Sequence, residues 1–202
     1  MEAFRLGWQQ KADGAELDVH LSRDGKIIVC HDSDTKRTTG QWRLIAETDS
    51  GAMSDLPQLH DVVAEIPAGC ELLVEVKCGV EIVPHLEAEK LPADCVSFLS
   101  FNRGVLLALK SAMPMHARRL NVEPFPYDVS KLAEMARDFD GVSLGWHKSI
   151  SRDLVESLHR AGFSVAVWTV DDIAIARLAR DAGVDILMSN CPGKIREALN
   201  RE

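Results

Sequence analysis

From Leu72 onward, short apolar runs with strand character return about every 22 residues, separated by stretches of helical periodicity. The runs fall at 72–77, 95–99, 117–122, 141–144, 164–169 and 185–188, with an earlier one at 15–21. A unit of that length holds a strand, a helix and two short loops. Strict alternation predicts parallel strands joined by crossover helices that cover the sheet, so the chain is expected to be α/β. Its 202 residues and 46% hydrophobic content are enough for a substantial core. No composition shift divides it, and the expectation is a single domain over 1–202.

The intervening segments carry apolar stripes at helical spacing: Val105, Ala108, Leu109 and Ala112; Leu132, Met135, Ala136 and Phe139; Ile175, Leu178, Ala179 and Ala182. Ser151 and Asp171 stand where N-caps are expected, and Gly162 and Gly183 where helices should stop. A further apolar run at 26–30 breaks the pattern, because only Ser22-Arg23-Asp24-Gly25 separates it from the run before. It reads as a rim extension outside the sheet, part of an excursion around 22–55. Seven parallel strands then remain, against the eight of a (β/α)₈ barrel of about 250 residues. Residues 1–12 look helical with no strand before them, so a barrel reading predicts that its first strand is missing. An open doubly wound sheet is the competing architecture. Its nucleotide-binding version is weak, since no Gly-rich phosphate loop follows the first strand.

The charged residues are placed unusually for such a sheet. In 15–21, Glu16, Asp18 and His20 share one face; in 72–77, Glu75 and Lys77 share one near the strand's end. A half-exposed antiparallel sheet would show the same alternation. Parallel strands under helices should instead be apolar on both faces, and charge at their C-terminal ends belongs to the mouth where ligand sites form. Glu16, Asp18 and Glu75 are therefore candidate ligands for a hard divalent cation, Mg²⁺ or Ca²⁺. Lys77 beside them is a candidate phosphate contact. His31, at the end of the rim strand, is a candidate general acid or base, or else a surface histidine.

The net charge of −8 leaves no basic stripe for nucleic acid or an anionic membrane. An anionic ligand would need a local cation. No apolar run approaches the ~20 residues of a membrane span. The opening Met1-Glu2-Ala3-Phe4-Arg5 lacks the design of a signal peptide, and the five cysteines are scattered without paired spacing. These features predict a cytoplasmic protein with reduced thiols and no zinc.

Glu16-Leu17-Asp18-Val19-His20-Leu21-Ser22-Arg23-Asp24-Gly25, then His31-Asp32 and Arg37-Thr38-Thr39, resembles the glycerophosphodiester phosphodiesterase family. Leu56-Pro57-Gln58-Leu59 and Glu75-Val76-Lys77 continue the resemblance, as do Val167-Trp168-Thr169-Val170-Asp171 and Ala182-Gly183-Val184-Asp185. It spans essentially the whole chain in order. It implies a TIM barrel that hydrolyses glycerophosphodiesters to glycerol 3-phosphate and an alcohol with a divalent metal. Glu16, Asp18 and Glu75 resemble the metal ligands, His31 one of two catalytic histidines, and Lys77 a substrate-phosphate contact. Trp168 is either a wall of the substrate pocket or a core tryptophan.

Members of the family begin with a strand ending His-Arg-Gly, then Pro-Glu-Asn-Thr, then a helix containing Ala-Phe. Here Ala3-Phe4 follows Met1-Glu2 directly. The second histidine, an arginine and a further metal-ligand glutamate are expected to be absent, and activity impaired. Met1 would then be an internal methionine of a longer gene product. A non-catalytic module that binds a phosphoester or a partner on the same fold is the alternative, and an unrelated barrel enzyme acting on phosphorylated metabolites is a third. A sheet short of its first strand is also expected to expose edges that favour self-association.

Overall fold

A computed structural model describes residues 1–200. They cluster into two compact units, Met1–Trp8 with Asp13–Ala117, and Gln9–Ala12 with the chain from Arg118 on.

The first unit contains all but the last residue of α1 (Glu2–Gln9), and β1 (Gly14–Leu21), β2 (Ile27–Val29), α2 (Lys36–Thr39), α3 (Leu59–Val63), β3 (Glu71–Val76), α4 (Val83–Ala88), β4 (Val96–Ser100) and α5 (Arg103–Ala112). Its strands lie in the order β2-β1-β3-β4. β1 runs parallel to β3 with Asp18 opposite Glu75, and β3 parallel to β4 with Glu75 opposite Leu99. Because directly paired residues of a parallel ladder share a face, that register brings two carboxylates side by side.

The run at 26–30 is a sheet member, which corrects the expectation of a rim extension outside the sheet. β2 pairs antiparallel with β1, Val19 opposite Val29 and Leu21 opposite Ile27. A connection of five residues, 22–26, is too short for a crossover helix, so the strand folds back on its predecessor. Gly25 takes the turn's left-handed position at φ +77°, where a side chain would also meet the ring of His85. The hydroxyl of Ser22 accepts from Lys26 N at 2.8 Å and donates to Asp24 at 2.6 Å. Beyond β2 the excursion has its own small core, in which Ile28, Cys30, Ile45, Met53 and Leu56 are buried together.

The second unit contains β5 (Arg118–Val122), α6 (Val129–Ala136), β6 (Gly141–Gly145), α7 (Arg152–Arg160), β7 (Ser164–Trp168), α8 (Ile173–Ala182), β8 (Ile186–Leu187) and α9 (Pro192–Asn200). These strands run parallel in the order β5-β6-β7-β8. Every residue of β5 and β6 is buried, as strands covered on both faces require. Among the described residues, seven strands thus pair in parallel and β2 alone is antiparallel.

Ser151 caps α7 through Leu154 N at 3.3 Å, and Gly183 ends α8 at φ +88°. The cap of α8 is Asp172, not Asp171; its carboxylate accepts from Ala174 N at 2.8 Å and Ile175 N at 3.1 Å. Asp171 instead accepts from Ser189 Oγ at 2.9 Å and Asn190 N at 2.8 Å, tying the loops after β7 and β8. In this helix Ala176, Ala179 and Ala182 form the buried face, and Leu178, expected in the apolar stripe, is 59% exposed. Among the described residues no helix is long and apolar enough to cross a membrane.

Candidate active site

β1 is hydrophobic on the face that carries Leu17 and Val19, both buried, and polar on the other. β3 beside it buries Leu72, Val74 and Val76 on one face and carries Glu75 on the other. Glu16, Asp18 and Glu75 therefore converge, with one carboxylate oxygen from each within 4.8 Å of the others. Lys77, just past the end of β3, places Nζ 2.8 Å from Glu75 Oε1 and 3.2 Å from Asp18 Oδ1. Its amide donates to the Val19 carbonyl at 3.1 Å, which fixes the backbone from which the side chain reaches back.

The electrostatics follow from this crowding. Burial, then the charges of Asp18 and Glu75, push the Glu16 carboxyl up to about 8, and Lys77 offsets only part of the effect. Burial acts against the ammonium of Lys77, yet its bonds to Glu75 and Asp18 outweigh that, and its pKa is raised. Three carboxylates with a single ammonium still fall short of neutrality. The donor set is all oxygen and anionic, which fits a hard divalent cation and not zinc.

His31 follows β2, and the amide of its neighbour Cys30 donates to the Asp18 carbonyl at 3.0 Å. Its side chain is 62% exposed, with Nδ1 2.8 Å from Asp32 Oδ1. Arg37 grips the other oxygen of Asp32 at 2.6 Å. The bond from Arg37, then that from His31, holds the Asp32 carboxyl down to about 2. An ionised Asp32 keeps the proton on His31 Nδ1 and leaves Nε2 for proton exchange with a ligand. Asp32 and Arg37 appear in the sequence motif, but periodicity and charge patterning gave them no role. Their link to His31 shows only in the contact.

His20 shares the face of Glu16 and Asp18, but it is buried with Nε2 3.3 Å from the His31 carbonyl. Burial lowers its pKa. Beside the carboxylates lies a cleft of about 340 Å³ whose lining includes Glu75, Lys77, Gly79, Ser100 and Phe101. The structure thus brings Glu16, Asp18 and Glu75 together, with Lys77 in contact with the latter two, and sets His31 on the adjoining backbone. Trp168 is half-buried at the end of β7 in the second unit.

The sequence profile of the glycerophosphoryl diester phosphodiesterase family matches residues 1–69 and 61–194. The chain belongs to this family. A glycerophosphodiester phosphodiesterase of Caldanaerobacter subterraneus is 29% identical over 220 residues, covering 94% of this chain and 87% of that one. Another from Bacillus altitudinis is 25% identical and covers 98% of this chain and 92% of its own. Among solved structures, an Oleispira antarctica phosphodiesterase in complex with the product sn-glycerol-3-phosphate superposes with a TM-score of 0.84 at 25% identity, covering 98% of this chain and 89% of that one. A glycerophosphodiester phosphodiesterase from Thermotoga maritima gives 0.80 at 22% identity, over 98% and 90%. Family membership makes the chain a phosphoric diester hydrolase by class, and its fold is of the α/β TIM-barrel type.

Proposed function

We propose that the protein hydrolyses glycerophosphodiesters to glycerol 3-phosphate and an alcohol, with a divalent cation, Mg²⁺ or Ca²⁺, held by Glu16, Asp18 and Glu75. The observation that carries this reading is the convergence of those three carboxylates with Lys77 in contact with two of them. The bound cation would supply Lewis-acid polarisation of a phosphoryl oxygen and a more acidic attacking water. Lys77 exchanges its carboxylate bonds for a phosphoryl oxygen and opposes the charge that builds there. His31, held in one tautomer by Asp32, moves a proton at Nε2. Water's oxygen bonds to phosphorus and gives up one proton to solvent as the P–O bond to the alcohol breaks. The imidazole, carrying a proton on Nε2 as well as the Nδ1 proton held by Asp32, passes the Nε2 proton to the departing oxygen.

Turnover by these 202 residues is expected to be slow. Neither His-Arg-Gly nor Pro-Glu-Asn-Thr occurs in the sequence, so the second histidine, arginine and further carboxylate implied by the resemblance have no matching position. Loss of one acid–base group alone typically costs about 10²- to 10⁴-fold.

The test is release of glycerol 3-phosphate from diesters with different head groups, in Mg²⁺, Ca²⁺ or EDTA. Slow release that needs the cation and disappears in Glu75→Gln supports the proposal. Cation-dependent binding of the diester without any release would assign the chain to the non-catalytic alternative. Release undiminished by EDTA and by Glu75→Gln would overturn the proposed site.

A further inference from the structure

We infer that Ser100 is a positioning residue for Glu75 and Lys77, acting through the peptide between them. This rests on the cation-site reading above and adds a residue to it. The ladder between β3 and β4 ends with Glu75 opposite Leu99. One residue on, Val76 is 2% exposed, and its carbonyl lies beyond the last ladder pair. A buried backbone carbonyl at a strand end needs a donor from elsewhere. Ser100, itself 1% exposed, supplies it: Oγ donates to the Val76 carbonyl at 2.8 Å.

The hydroxyl is fixed in turn. It accepts from Asn102 N at 3.1 Å, and the Asn102 side chain caps α5 by accepting from Gly104 N at 2.9 Å. On the β1 side, Lys77 N is bonded to the Val19 carbonyl. The short stretch that aims Glu75 and Lys77 is thus pinned to β1 by a main-chain bond and to the β4–α5 turn by one hydroxyl. Both residues line the same cleft as Ser100. Outer partners of this kind set ligand geometry, and their loss typically weakens metal affinity about 10- to 100-fold.

Ser100→Thr and Ser100→Val have nearly the same shape and differ in the hydroxyl alone, so their comparison isolates the bond from packing. Titration of the full metal-free chain with Mn²⁺, followed by electron paramagnetic resonance, reads the site without activity. Ser100→Val is expected to bind Mn²⁺ about 10- to 100-fold more weakly than Ser100→Thr. Ser100→Ala, smaller than the native residue and unable to overpack, is expected to show the same loss against wild type. Equal affinities in the Thr and Val variants, or wild-type affinity in Ser100→Ala, would overturn the inference and leave the cation site standing. Absence of binding by wild type, or Glu75→Gln binding as well as wild type, would instead overturn the site reading.

Discussion

The two units repeat one pattern of strand, helix and loop, yet they use the charged residues of their strands differently. In the first, Glu16, Asp18 and Glu75 lie on β1 and β3, and Lys77 follows the end of β3. In the second, β5, β6 and β7 end in Val122, Gly145 and Trp168, and the charged pair Arg118 and Arg119 opens β5. The arginines are engaged in structure: Arg118 Nη2 lies 3.0 Å from Asp140 Oδ2, and Arg119 Nε donates to Ser164 Oγ at 3.0 Å. In parallel α/β folds the C-terminal ends of strands carry chemistry and the N-terminal ends carry stability. The carboxylates of the first unit are proposed to serve chemistry, whereas the arginines of the second are bonded into the strands' surroundings.

Variants in the two units are expected to separate by what they damage. His31→Gln is expected to have the largest effect, lowering kcat by about 10²- to 10⁴-fold from the parent rate with melting unchanged. Lys77→Met should lower kcat/KM by about 10²- to 10³-fold. Asp32→Asn leaves the imidazole in place but frees its tautomer, and a loss of about 10- to 100-fold in steady-state turnover is expected. Asp140→Ala is the counterpart in the second unit. It should lower stability by about 1 kcal/mol, a fall in Tm of roughly 2–4 °C, with kcat and KM unchanged. A large loss of turnover in Asp140→Ala, or of stability alone in His31→Gln, would break the comparison.

A pH experiment sharpens it. The carboxyl of Glu16 titrates near 8 in the metal-free fold against about 4.5 when unfolded. A carboxyl raised in this way leaves stability intact below about 4.5 and withdraws it progressively as pH climbs to about 8. Thermal melts of the metal-free protein should therefore lose stability over that window relative to Glu16→Gln, which has no such proton to lose. Cation binding displaces the same proton, so affinity should rise about tenfold per pH unit up to about 8 and then level off.

Much of this was legible in the sequence because strands and alternation obey strong local rules. The eight strand runs all appear, with no end shifted by more than one residue. Glu16, Asp18, Glu75 and Lys77 could be picked out because charge is anomalous in a covered parallel strand. The missed features depend on contacts between distant segments. β2 joined the sheet through its turn, and Asp171 gave up its cap to bind Ser189 and Asn190. The grip of Arg37 on Asp32 and the bond from Ser100 to Val76 leave no periodic trace, because each is one side chain meeting one acceptor.

The proposed chemistry of the first unit depends most directly on whether the three carboxylates hold a cation. Metal-free protein titrated with Mn²⁺ at pH 8 is expected to bind one ion per chain, displaced by Mg²⁺ or Ca²⁺ and lost in Glu16→Gln and Glu75→Gln. No binding by the parent chain, or binding unchanged in both variants, would contradict it.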